Sequence, residues 1–446
     1  MPAMNGRISA LLWAAMTLMT AALLVRNILD IPVLAPLDPN EGWNAAHALS
    51  LLAKDALYPP PGSLMVNNYP PLSFYAVAAL TRTTGDAIVA GRLLSLLSFL
   101  SVCACIALIC RRMEVAARAS LCAVIFFAAV LLIASDYLAM ADPQLLGHAI
   151  QLGGLLLLLR GRILFAGAVF AASLFVKHNL MALPAAATIW LLWRDRREGL
   201  TLLLSCAACA GLGLALFHQV YGSGLPSHLF SARLVSWANV QHAVSQLWWA
   251  VLPLGLLAVA THPWKHFCRI YALTALAMGL VFSAGDGVDT NAFFDLALAC
   301  ALTLGLEAEQ NRRSLLAALA TLPMLVFLVL NFHDNNFFFT QGFRTQSARD
   351  IAFLKSQSGP ALCDQLSLCL WAGKGAQVDV FNVGEEIKTG VRNSSGLASM
   401  LATQHFAVLQ LQDLDALGPV IRAAIARNYR PHHSGDNGSF LVRRAP

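Results

Sequence analysis

The stretch "LDPNEGWNAAHALSLL", residues 37 to 52, sets Asp38 and Glu41 three positions apart, directly after the first long apolar run of the chain. Two carboxylates so placed suit general-base chemistry, one taking a proton from an attacking hydroxyl while the other orients the acceptor or supports its neighbour. They equally suit the start of a surface helix, with Asp38 as N-cap and Glu41 in the first turn. Other chemically able side chains sit where apolar runs begin or end. These are Asn68 and Tyr69 in "NNYPPLSFY", Arg92 in "AGRLLSLLSFL", Asp142 in "SDYLAMADPQLLGHAIQLGG", and Lys177 and His178 in "FVKHNLMALP". A cation at such a depth meets an anionic lipid headgroup, or simply snorkels to the interface. Asp142 can bind a ligand or cap a helix that has Pro143 at its first position.

The elements that carry these residues follow from composition. Of 446 residues, 58% are hydrophobic and 12% charged, and mean hydropathy is +0.63, values that belong to an integral membrane protein. Apolar runs near 8–28, 87–109, 115–134, 143–159, 163–178, 179–193, 199–220, 246–261, 269–285, 292–306 and 314–331 predict about eleven transmembrane helices, since a span needs about 20 apolar residues. Ile163 to Trp193 is too long for one helix and is interrupted by Lys177, His178, Asn179 and Pro184, so it reads as two short helices meeting at a polar turn. The N-terminal run is longer than a signal-peptide core and lacks a good cleavage pattern, which favours an anchor.

Arg7, Arg111, Arg112, Arg118, Arg160, Arg162, Arg194, Arg196, Arg197, Lys265, Arg269, Arg312 and Arg313 fall on one side of the alternation, which the positive-inside rule makes cytoplasmic. The opposite, extracytoplasmic side receives the long loop 30–86, the residues around Asp142, Lys177, Asp286, Asp289 and Asn291, and the C-terminal tail. A loop of that length carries structure of its own. Residues 1–335 therefore read as an all-α polytopic membrane region, and 336–446 as a small extracytoplasmic α/β domain. In that domain Cys363 and Cys369 either form a disulfide, as an oxidising compartment allows, or remain buried thiols. Asn393 and Asn437 match the glycosylation sequon. The net charge of +6 is spread over membrane-flanking loops, with no basic stripe of the kind nucleic acid selects. Histidines 218, 228, 242, 262 and 266 show no zinc spacing.

The order of these motifs resembles the GT-C superfamily of polytopic membrane glycosyltransferases, nearest the polyprenyl-phosphate-sugar-dependent enzymes related to protein O-mannosyltransferases and lipid A aminoarabinose transferases. The resemblance is carried by the acidic loop opening at Asp38, "NNYPPLSFY", "GRLLSLLS", Asp142, Lys177 and "GDGVDTNAFFDLALA", over most of residues 1–310. It implies transfer of a sugar from a polyprenyl phosphate, with inversion, to a lipid, glycan or protein acceptor at the outer face of a bacterial inner membrane. Asp38 would be the base, Glu41 its support, and Lys177, with Arg92, His178 and Arg82, the cations for the departing phosphate. Asn68 and Tyr69 would help bind substrate, and Asp142 would bind sugar or a divalent Mg or Mn ion shared with Asp38. Many relatives carry adjacent acidic residues in the first loop, whereas Pro39 and Asn40 separate the pair here. A transporter or lipid flippase is the alternative, but it predicts midplane charges and repeated halves, and the charges lie instead at helix ends.

Overall fold

The computed structural model describes residues 2–60, 62–134, 136–310, 314–332, 340–414 and 417–444. Arg312, Arg313 and the expected domain boundary at 335/336 lie outside them.

Among the described residues, four helices are long and apolar enough to cross a membrane: Gly6–Asp30, Ala87–Arg112, Arg196–Tyr221 and Thr290–Glu309. Ala117–Ile133, Gln144–Leu158, Ile163–Leu174 and Ser314–Leu330 are apolar but shorter. The eleven expected spans are thus not matched one for one. Residues 246–261 divide into a 3₁₀ turn, Gln246–Ala250, and the helix Val251–Ala258, because hydropathy reports burial and not where backbone hydrogen bonding breaks. The polar turn expected near Lys177 is present, between Ile163–Leu174 and Ala182–Arg194.

Phe294–Glu309 is the central helix, almost wholly buried. Its Gly305 faces Ala119, Ala123 and Cys110, small partners that let helix backbones approach closely. Arg196–Tyr221 is the opposite case, with Leu203, Leu204, Leu212, Leu216 and Val220 exposed. An apolar face so exposed on a long helix belongs against lipid.

The first loop is built from two helices, Pro39–Ala53 and Leu72–Thr84. The first begins because the Asp38 carboxylate accepts from Asn40 N at 2.8 Å and Pro39 pre-sets the first turn. It ends at Lys54, whose φ of 62° is left-handed. Its Trp43 packs with Leu57, Tyr58, Phe74 and Leu225, and with Leu366 of the C-terminal region. The contact is close, since a Cβ on Gly42 would overlap the backbone of Ser367.

The C-terminal region holds a four-stranded sheet, β1 (Ala361–Cys363), β2 (Val408–Leu411), β3 (Tyr429–Gly435) and β4 (Gly438–Arg443), in the order β1-β2-β4-β3. β1 and β2 are parallel, and the other pairs antiparallel. Helices Gln341–Ser356, Leu366–Trp371, Val380–Lys388, Ser395–Ala402 and Gly418–Asn428 accompany it. Cys363 and Cys369 are joined by a disulfide, their Cα atoms 5.9 Å apart. Asn437 is buried and donates to Asp350 at 2.8 Å, so that sequon is closed to modification, whereas Asn393 is exposed.

Candidate functional site

Arg92 lies near the start of Ala87–Arg112 and is completely buried. Its Nε and Nη2 donate to the two Glu41 carboxylate oxygens, each at 2.7 Å. Its other N–H groups go to the carbonyls of Ile31 (3.2 Å), Val33 (2.7 Å) and Ala35 (2.7 Å). All five guanidinium donors are thereby used. In this arrangement Arg92 has no N–H left over for the phosphate that the sequence expectation gave it. The cost of burying it is met by a carboxylate and three carbonyls of the first loop.

Glu41 is equally committed. Besides Arg92 it accepts from Leu37 N at 2.9 Å and from Ala141 N at 3.2 Å. Its two oxygens thus accept four N–H bonds, which suits support of the Asp38 segment better than direct contact with an acceptor. What it does is join two segments: Leu37 precedes Asp38, and Ala141 precedes Asp142. The same helix fixes the second segment again, as Ser95 Oγ donates to the carbonyl oxygens of Met140 and Asp142. Gly91 permits that approach, since a Cβ there would overlap Ala141.

Asp38 is half-buried. Burial pushes its carboxyl up to about 6, opposed by the Asn40 N–H bond and assisted by the negative charges of Glu41, Asp142 and Asp289. A carboxylate at that value is a stronger base than a solvated one. Asp142 accepts from Gln144 N at 2.7 Å, just ahead of the helix Gln144–Leu158, whose N-cap is Pro143, and also pairs with Lys177 Nζ at 3.3 Å. Lys177 Nζ in turn sits 4.9 Å from the centre of the Tyr69 ring, and Tyr69 meets Trp43 edge-on at 4.9 Å.

Lys177 and Tyr69 line a cavity of about 820 Å³ together with Asn68, His178, Asn179, Asn291 and Arg233. Its other walls are apolar, among them Val235, Trp237, Leu280, Val281 and Val288, several of them strongly exposed. Cationic side chains together with apolar ones in a single lining suit an amphiphilic anion. Arg233 went unnoticed in the sequence. Its only signal there is an arginine in a loop that the positive-inside reading expects to be poor in cations. Arg82 is exposed on the last turn of Leu72–Thr84 and does not line the cavity. Asn291 lines it and also bonds to Gln144. Asp286 accepts from Asn239 at 2.7 Å, and Asp289 from Thr290 N at 2.6 Å.

Among the described residues no group of three or more His, Cys, Asp or Glu side chains gathers in metal-binding fashion. Asp142 already neutralises Lys177. Asp38 and Asp142 thus offer two carboxylates, one of them already paired with a lysine, fewer oxygen ligands than a divalent ion usually takes from protein.

No protein-family model matches the sequence, and no curated protein does. Solved structures do. ArnT from Cupriavidus metallidurans in the apo state superposes with a TM-score of 0.63 at 14% identity, over 96% of this chain and 97% of that one. The same protein bound to undecaprenyl phosphate superposes with a TM-score of 0.59 at 14% identity, over the same shares. The chain thus has the fold of ArnT along nearly its whole length.

Proposed function

We propose that this protein transfers a sugar from a polyprenyl phosphate to an acceptor, with inversion, at the extracytoplasmic face of a bacterial inner membrane. The observation that carries the proposal is a cavity lined by both Lys177 and Arg233 and, for much of the rest, by apolar side chains, with Asp142 paired to Lys177. A lipid-linked phosphate fits that combination, and a protein of the same fold has been solved with undecaprenyl phosphate.

In the proposed step Asp38 takes the acceptor hydroxyl proton as its oxygen attacks the anomeric carbon. The bond from that carbon to the phosphate oxygen breaks, and the phosphate leaves with the electron pair. Lys177 and Arg233 stabilise its charge, and their low-dielectric setting strengthens the effect. Asp142 keeps Lys177 in place and stands close enough to Asp38 to raise its basicity. Glu41 and Arg92 act by holding the two acidic segments together. Sugar and acceptor class are left open, whether lipid, glycan or protein. The extracytoplasmic orientation is part of the proposal and rests on the distribution of Lys and Arg between loops.

The test compares, by mass spectrometry, lipid-linked sugars and envelope glycans of cells carrying wild-type protein, Asp38→Asn or no protein. Loss of one glycan with accumulation of its polyprenyl-phosphate donor in both deficient strains supports the proposal. Intact glycans in both, with a lipid or solute redistributed across the membrane, would replace it with transport.

A further inference from the structure

One helix of the C-terminal region, Val380–Lys388 with Asp379 as its N-cap, stands behind both cations of the cavity. The Phe381 ring centre lies 4.8 Å from the Arg233 guanidinium carbon. Four residues on, the buried Glu385 accepts from Leu234 N at 2.9 Å and so fixes the backbone next to Arg233. Gly287, at φ 72°, passes so near that a Cβ on it would overlap the Phe381 ring. On the other side, Asp379 accepts from Trp43 Nε1 at 2.8 Å. Trp43 supports the Tyr69 ring, over which Lys177 sits.

An aromatic face holds a guanidinium through its π cloud and consumes none of its N–H donors. A carboxylate in the same place would fix Arg233 but also neutralise it. Phe381 therefore orients the cation without taking an N–H from it; one Nη1–H goes to the Asp286 carbonyl at 3.2 Å, and the charge is not neutralised by the ring. We infer that Phe381 is a positioning residue for the donor phosphate, acting through Arg233, so that the C-terminal region forms part of the donor site. The inference rests on the proposed role of Lys177 and Arg233 at that phosphate.

To test it, undecaprenyl phosphate is titrated into the full-length protein in nanodiscs, and Kd is measured for the wild type, Phe381→Leu, Phe381→Trp, Arg233→Ala and the double variant Phe381→Leu with Arg233→Ala. Phe381 is 42% exposed, so these changes spare the core. Phe381→Leu keeps apolar bulk and is expected to raise Kd roughly threefold to tenfold. Phe381→Trp should restore it, and Phe381→Leu should add nothing to Arg233→Ala. If Phe381→Leu binds as the wild type does while Arg233→Ala binds more weakly, the positioning role is overturned and the donor site stands. If Arg233→Ala itself binds as tightly as the wild type, the proposed donor site is what fails.

Discussion

Arg92 and Glu41, 51 residues apart, form a completely buried ion pair whose two 2.7 Å bonds tie the first loop to the start of Ala87–Arg112. Breaking such a pair from one side leaves a buried charge without its partner, at a cost of about 3–5 kcal/mol. Glu41→Leu and Arg92→Met are each expected to lower thermal stability in detergent strongly. Arg92→Lys will not restore it, since an ammonium has three donors for the contacts that five now make. Melting curves of the three purified variants check this, and an Arg92→Lys protein as stable as the wild type would refute it.

Activity is expected to depend on the ionised form of Asp38. Its carboxyl is raised from 3.8 to about 6, so the acid limb of kcat/KM moves up with it. The rate should be halved near pH 6 and fall about tenfold per unit below that. Asp38→Asn should lose roughly 100- to 10,000-fold and leave no limb at that pH. A profile flat from pH 5 to 8 in the wild type would assign the base elsewhere.

Lys177→Met removes a cation from the cavity and leaves Asp142 without its partner. Donor KM should rise more than tenfold, with a lesser effect on acceptor KM. Pairing it with Asp142→Asn should recover stability but not donor affinity, because the double change restores charge balance without restoring a cation. Separate titrations of the two substrates distinguish the cases.

Chelation should leave activity intact. The carboxylates of Asp38 and Asp142 engage Asn40 N, Gln144 N and Lys177, which is not a divalent-ion donor set. Assay after EDTA treatment and desalting is the check, and loss of activity that Mg or Mn restores would reverse the conclusion.

The Cys363–Cys369 disulfide closes a short loop. Loop-closure entropy assigns it roughly 2 kcal/mol. Reduction, or Cys363→Ser with Cys369→Ser, should lower the melting temperature of the C-terminal region and leave donor affinity nearly unchanged.

How much of this was legible beforehand depends on range. Asp38 as an N-cap follows from the local pattern of Asp, Pro and a first-turn Glu, and the structure shows it. Lys177 and Asp142 were each legible as cation and carboxylate at helix ends, but their pairing across 35 residues was not, because no local period encodes it. Arg92 was legible as a buried cation needing a partner. Its partner turned out to be Glu41 and the loop carbonyls rather than a phosphate, since only tertiary geometry shows that its donors are already spent. Arg233 had no spacing to betray it, and Phe381 had even less. The helical class was plain from hydropathy, whereas the breaks inside the apolar runs depend on backbone bonding to which hydropathy is blind.

The bond from Ala141 N to Glu41 bears on how the protein is made. Ribosomes deliver Asp38, then Arg92, then Asp142, and the last of these reaches its station only after the 141 peptide has emerged and docked on a carboxylate synthesised a hundred residues earlier. A nascent chain halted between Arg92 and Ala141 can already close the ion pair, yet its acidic residues are not in register. The two carboxylates can come into alignment only once 142 of the 446 residues have been made, and a product terminated before that holds Asp38 without Asp142.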